Sequence, residues 1–477
     1  INANIRKSRD HASAIDPFKY AIFANRYERP YDENGNVKKV LYSYEYYDRG
    51  ITSKTMYNEL YNAVLPSKNQ QTSNNFLNNF SIEYDIIQGL KLKANLSLSV
   101  DNGKTDVYKS YENTEFLDKE KKGSYAQSTS NDFSYDINVI LSYFKSLKKH
   151  FINLGFVYNL QEKQYDNTSI YVVGFPNANM DHVSIGSGYQ EGAKPGGSFD
   201  VTRLVGFVGN LGYTYDNRFL LDASVRSDGS SIYGSNNRWG TFWSVGVGYN
   251  IHNEKFMKSV DFIDRLKLRT SYGQTGSQNF SAYQAISTYS YYLNDRYYQW
   301  MGAYQKALDN PNLEWQKTDK YNLGIEINTF NNCLNFIADF YLEKTSNLLS
   351  SLELPLSNGF TSYVENIGKV ENRGYELKAT GFLIRDTERR LIWTLTGSLA
   401  HNKDEIVKLS DALKSEYSKR LLEGGTLPNK VLREGESQNS IYAVRSMGID
   451  PSTGREMFLK QNGEISYPWD ANDRVYC

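Results

Sequence analysis

From His150 to Lys163 the chain alternates for the most part between apolar and polar residues. Ile152, Leu154, Phe156, Tyr158 and Leu160 fall on one side of an extended strand, and Asn153, Gly155, Asn159 and Gln161 on the other. Successive side chains of a strand point to opposite faces, so this period of two excludes a helix and predicts a ribbon with one greasy and one wet face. The pattern recurs. Leu90, Leu92, Ala94, Leu96 and Leu98 alternate with Lys91, Lys93, Asn95, Ser97 and Ser99. Trp243, Val245, Val247, Tyr249 and Ile251 alternate with Ser244, Gly246, Gly248 and Asn250, and Tyr321, Leu323, Ile325 and Ile327 with Asn322, Gly324, Glu326 and Asn328. Strands of about ten such residues are long enough to cross a bilayer when tilted. The wet faces carry Lys91, Asp222, Arg226, Asp339, Glu376 and Lys378. In a membrane barrel these residues face the lumen.

The connections alternate as strictly as the side chains. Short ones fall at 86–89, 146–149, 216–217, 331–332 and 385–389, with a somewhat longer one at 252–263 that holds room for a helical turn. Long ones fall at 102–131, 164–200, 228–238, 275–315, 348–369 and from 404 onward. A soluble sandwich has no reason to keep its long loops at one end, whereas an outer-membrane barrel has tight periplasmic turns and long extracellular loops. The expected fold is all-β: an antiparallel up-and-down transmembrane barrel segment of about twelve strands between residues 75 and 403, an even number as such barrels require. Residues 1–74 read as extracellular loop with one tyrosine-rich strand at Val40–Tyr46, and residues 404–477 as extracellular loop with a hairpin across Asp450–Gly454. Both chain ends read as cuts in a longer polypeptide, so no plug is expected here and no closed barrel from this piece alone.

Composition agrees with this reading. The 54 basic and 54 acidic residues cancel, which argues against a nucleic-acid partner. Mean hydropathy is −0.60, with no apolar run of the roughly 18–20 residues a membrane helix needs. A barrel hides only half of each strand in lipid and escapes such a scan. The 39 tyrosines suit a bilayer interface, and sugar stacking or tyrosine-rich strand faces explain them equally. The two cysteines, Cys333 on an expected strand and Cys477, have no framework or metal spacing.

No catalytic, metal or cofactor motif is found. Gly186–Gly192 is a glycine-rich loop without the dinucleotide spacing, and the five histidines are scattered. His401 is the one candidate for rim chemistry, and an ordinary surface residue explains it better. Asp470–Asp473 lacks the glycine of a calcium loop. Two sets remain as binding candidates. Tyr289, Tyr291, Tyr292, Tyr297, Tyr298 and Trp300 crowd one long loop, where they either stack on sugars or a partner, or pack on one another. The lumen-facing set of Asp222, Arg226, Asp339, Glu376 and Lys378 touches cargo, plug or water.

Several blocks carry a family resemblance. Asp216–Ser231 followed by Asn237-Arg238-Trp239-Gly240, Leu266–Gly276, Asn310-Pro311-Asn312-Leu313-Glu314-Trp315, Asn366–Leu377, and Arg433–Ser437 with Gly448-Ile449-Asp450-Pro451 resemble SusC/RagA-type TonB-dependent transporters. The resemblance spans roughly residues 200–460 in the family's order. It implies a barrel of about 22 strands around an N-terminal plug in the outer membrane of a Gram-negative bacterium. It further implies a SusD-like surface lipoprotein as lid, oligosaccharide or peptide as cargo, and energy from TonB through the plug. The different-class alternative is a soluble or surface-displayed β-rich carbohydrate-binding or adhesion protein.

Overall fold

The structure, a computed structural model, describes residues 2–10, 27–47, 51–117, 119–191, 193–277, 283, 285–354, 356–386, 389–422 and 428–476. Cys477 and Gly192 lie outside the described residues. The strands are β1 (Asn2–Asp10), β2 (Val40–Tyr47), β3 (Ile51–Tyr57), β4 (Lys68–Ile87), β5 (Leu90–Lys109), β6 (Ser124–Leu147), β7 (His150–Val173), β8 (Gly188–Tyr189) and β9 (Gly196–Tyr215). They continue with β10 (Phe219–Ser230), β11 (Trp239–Asn250), β12 (Ile263–Ser277), β13 (Thr288–Tyr297), β14 (Trp300–Ala307), β15 (Gln316–Thr329), β16 (Leu334–Glu353), β17 (Ser362–Asp386) and β18 (Leu391–Leu409). Short strands follow: β19 (Asn429–Lys430), β20 (Ile441–Ala443), β21 (Arg445–Ile449), β22 (Glu456–Leu459), β23 (Ile465–Ser466) and β24 (Val475–Tyr476). Among the described residues two α-helices, α1 (Glu59–Val64) and α2 (Asp411–Leu422), lie among the connections. The long strands form one sheet in the order β1-β4-β5-β6-β7-β9-β10-β11-β12-β15-β16-β17-β18, with β8 on β7. β1 pairs antiparallel with β4, and the run β9-β10-β11-β12-β15-β16-β17-β18 is antiparallel throughout.

The short turns come from residues that accept a left-handed backbone. Asp216 and Asn217 both have positive φ (51° and 52°), and the Arg218 N–H donates to the Tyr215 carbonyl at 2.9 Å. Side chains of Asx type tolerate this conformation best, and primed turns match the strand twist. Asn331 and Asn332 repeat the device after Phe330. Cys333, expected on a strand, ends that turn, donating its N–H to the Phe330 carbonyl.

The strands run further toward the long connections than alternation indicates. β5 continues to Lys109 and β6 begins at Ser124 inside the expected 102–131 loop, and β17 starts at Ser362 inside 348–369. Beyond the lipid both faces meet water, so the apolar/polar code lapses while hydrogen bonding continues. The sheet also starts earlier: β1 pairs with β4, and a β2–β3 hairpin occupies part of what reads as loop before residue 75.

The chain divides into two compact units. One holds residues 1–81, 95–137 and 161–202. It has a small buried core of Tyr108, Tyr125, Val172 and Phe175, with Tyr125 donating to Asp106 at 3.0 Å. The other holds residues 82–94, 138–160 and 203–477. Its buried clusters sit at the loop ends of strands: Tyr233, Phe242 and Trp315, and Val370, Ile406, Leu409 and Leu413. The long apolar faces between are not buried. Val247 and Leu323 keep 47% and 48% of their surface, and Leu154 is exposed as well. No second layer covers this face in the second unit among the described residues, as a sandwich would require.

The hairpin of β21 and β22 turns on Asp450. Its carboxylate accepts from the Ser452 N–H (2.9 Å), the Ser452 and Thr453 hydroxyls (2.8 Å each) and the Tyr467 hydroxyl (2.8 Å). These four donors, led by the Ser452 N–H, hold it well below the usual carboxylate range. A depressed folded value stabilises at every pH above the unfolded carboxylate's, about 3.9, and the gain fades as pH falls through the folded value. The hairpin is therefore expected to stay protected from hydrogen exchange at pH 4 and to open only in stronger acid. Asp450→Ala is expected to expose it already at neutral pH.

Candidate functional site: a polar wall and an outer hairpin

Register places Asp222, Arg226, Asp339, Glu376 and Lys378 on one face of the sheet. Across β10, β11, β12, β15, β16 and β17, Leu220 pairs with Gly248, Gly248 with Arg269, Arg269 with Gly324, Gly324 with Asp339, and Asp339 with Glu376. Side chains directly opposite across paired strands share a face, so the row is coplanar and polar from Arg269 onward. The adjoining row runs Asp222, Gly246, Ser271, Asn322 and Tyr341.

Glycines give this wall its shape. Arg269 on β12 reaches over Gly324 of β15 to Asp339 on β16, at 2.7 Å. A Cβ at Gly324 would stand 2.6 Å from the Asp339 carboxylate and 2.7 Å from Arg269 Nε, so only a bare backbone lets the pair form. Arg269 also meets Glu326 at 3.3 Å, which in turn pairs with Arg265 at 3.1 Å. Lys320 pairs with Glu343 at 2.9 Å, and Arg226 with Asp228 at 2.5 Å. Glu376 and Lys378 are exposed and enter none of these pairs. A recess of about 670 Å³ opens on this face, lined among others by Asp222, Arg226, Ser244, Lys267, Arg269 and Lys320. Arg269, Glu326 and Asp339 are legible in sequence only as polar positions; their joining across β12, β15 and β16 is a matter of register.

The opposite face is a belt bounded by aromatic rings. Phe219 stacks on Tyr249 (centroids 5.0 Å apart) near the short turns. Tyr272 lies edge-on to Trp243 (5.2 Å) and stacked on Tyr321 (4.5 Å) further up. Trp239 and Tyr249 mark opposite ends of the twelve-residue β11. That separation is about 34 Å along the strand and about 24 Å of height at a tilt near 45°, the thickness of an outer-membrane apolar band.

The tyrosine-rich loop folds as the β13–β14 hairpin. Tyr289, Tyr291, Tyr292, Tyr298 and Trp300 are all exposed, and Tyr292 meets the Tyr304 ring at 4.9 Å. The side chain of Tyr297 lies outside the described residues. The hairpin offers open aromatic faces, and its rings do not form a buried core of their own among the described residues. His401 lies on β18 opposite Tyr375, on the apolar face, away from the ion pairs. Among the described residues no helix is long and apolar enough to cross a membrane, and no cluster of His, Cys, Asp and Glu is placed to hold a metal.

A one-layer antiparallel sheet, wet and ion-paired on one face and exposed and aromatic-edged on the other, defines a strand-built membrane protein. The family model described as TonB dependent receptor-like, beta-barrel, matches residues 11–440, and the chain belongs to that family of Gram-negative outer-membrane β-barrels. It is 32% identical over 276 residues to the TonB-dependent receptor SusC of Bacteroides thetaiotaomicron, covering 54% of this chain and 27% of that protein. It is 28% identical over 409 residues to a TonB-dependent receptor of Formosa agariphila, covering 85% of this chain and 37% of the other. In structure it resembles the RagAB peptide transporter with a TM-score of 0.77 and 25% identity, over 94% of this chain and 48% of that one. The chain thus spans less than half the length of these relatives.

Proposed function

We propose that this chain is the wall of a SusC/RagA-type importer. Its polar face lines the passage, its apolar face meets lipid, and the long connections face outward. Cargo is an oligosaccharide or a peptide, held by many weak contacts and released when a plug moves under TonB. A SusD-like lipoprotein closes the outer end. The mechanism is binding and gated passage with no bond chemistry. The observation that carries the reading is the split between faces of the same strands, with Arg269, Asp339, Lys320 and Glu343 on one side and Val247, Leu323 and Phe340 on the other. RagAB is a peptide transporter, and peptide cargo is proposed beside glycan on that likeness. An adhesion protein would leave the apolar belt in water, and detergent-free solubility of the full-length protein would speak for it.

The β13–β14 hairpin is assigned to cargo or lid contact. Exposed aromatics are what sugar rings and protein partners grip, at about 1 kcal/mol or more per ring. Replacing Tyr291, Tyr298 and Trp300 by Ala in the full-length transporter is expected to weaken cargo or lid-protein affinity by about tenfold or more in titration calorimetry. Unchanged affinity for both would remove the assignment.

A further inference from the structure

The connection between β11 and β12 carries groups that the transport reading leaves without a task. It is built rigidly. Glu254 is gripped by Arg218 at 3.1 Å through both oxygens and by the Tyr249 hydroxyl at 3.0 Å. Asn250 and Asn253 both donate to the Asn217 carbonyl at 2.8 Å. On this frame sits the 3₁₀ turn Lys255–Ser259, its Ser259 hydroxyl donating to the Phe256 carbonyl.

What the rigid turn displays is apolar. Phe256 keeps 64% of its surface, Phe262 53% and Phe330 59%. Phe262 and Phe330 lie 6.1 Å apart, joined by a backbone bond between the two turns. A turn held by so many bonds has no need to expose three large rings unless something covers them. Lys255 and Lys258, exposed beside Phe256, have no ion-pair or hydrogen-bond partner among the described residues. The turn is tied to the aromatic row that closes the apolar belt: Glu254, next to Lys255, accepts from Tyr249 and from Arg218, whose guanidinium lies over Phe219 at 5.6 Å.

We propose that the Lys255–Ser259 turn and the Phe262–Phe330 pair form a peg seated in the leaflet on the short-turn side. The rings enter the upper acyl region, and Lys255 and Lys258 reach glycerophospholipid phosphates. Continuity with the belt and two unpaired cations at its margin favour lipid over a protein partner. Long basic side chains at such a margin keep their stems in the apolar layer and their heads on phosphate. The peg fixes the height and rotation of β11 and β12 in the bilayer. The inference rests on the outer-membrane placement and on neither cargo nor lid.

The test uses the full-length transporter in vesicles of phosphatidylethanolamine and phosphatidylglycerol. In F256W, the emission added relative to wild type is expected to fall by about half when the lipid is brominated near the headgroup, and to resist acrylamide. Added emission that acrylamide quenches and bromolipid does not would place Phe256 in water or against a protein, and overturn the peg. The K255Q/K258Q double variant is expected to lower the ratio of co-purified phosphatidylglycerol to phosphatidylethanolamine about twofold or more. An unchanged ratio would overturn the phosphate contact. Cargo uptake by the same proteins separates failure of the peg from failure of the transport reading.

Discussion

Leu323→Arg is expected to abolish most of the folded, heat-modifiable protein in the membrane fraction, while Asn322→Arg, one residue away, leaves it near wild type. The two positions are neighbours in sequence and opposites in environment. Leu323 pairs with Thr270 and Phe340 in the middle of the belt and keeps 48% of its surface, with no acidic residue at either paired position. A guanidinium there is stranded in hydrocarbon at a cost of about 2–4 kcal/mol near the midplane. Asn322 pairs with Ser271 and Tyr341 on the polar face and lines the recess that also holds Lys320 and Arg269. An added arginine there stays hydrated. Equal loss in both variants, or in neither, would mean that the belt does not face lipid. Gel mobility with and without boiling reads the outcome.

That contrast rests on information the sequence carries in plain form. A period of two needs only neighbours, so the faces of β7, β11 and β15 and the turns at Asp216-Asn217 and Asn331-Asn332 are legible without coordinates. Other features need distances in sequence that periodicity cannot bridge. Arg269 and Asp339 are seventy residues apart, and their pair depends on register across β15 and on Gly324 being bare. β1 reads as loop because its pattern, Asn-Ala-Asn-Ile-Arg-Lys-Ser-Arg-Asp, has almost no apolar face, yet its backbone pairs with β4 throughout. The same holds for the water-facing ends of β5, β6 and β17. The hairpin of β13 and β14 was legible as a concentration of rings; that they stand open is a property of the fold.

The largest effect outside the belt is expected at Trp315, whose role is also hidden in sequence. The Asn310–Trp315 block is visible as a motif, but its partners come from elsewhere. Trp315 is 4% exposed, stacked on Tyr233 at 4.1 Å and edge-on to Phe242 at 5.5 Å. A Cβ at Gly240 would stand 2.7 Å from the Phe242 ring and 3.0 Å from the indole, so the strand bears no side chain where the rings pass. Around them Asn310 donates to the Val364 carbonyl at 2.9 Å, Asn366 to the Glu314 carbonyl at 3.1 Å, and the Asn236 N–H to the Pro311 carbonyl at 3.2 Å. The cluster therefore clamps the β10–β11 and β14–β15 connections to the first residues of β17. Trp315→Ala removes the centre and leaves a cavity, at about 3–5 kcal/mol. Because the clamp lies beyond the belt, the strands should still assemble and the loss should appear as local opening. Trypsin cleavage at Arg238 on intact cells is expected to speed up about a hundredfold or more, with heat-modifiability unchanged. Trp315→Phe is the informative control. The indole N–H is buried without a hydrogen-bond partner among the described residues, so removing it relieves an unsatisfied donor while the ring contacts largely survive. Cleavage of the Phe variant close to wild type, beside rapid cleavage of the Ala variant, would assign the clamp to ring packing, and equal cleavage of all three proteins would dissolve it.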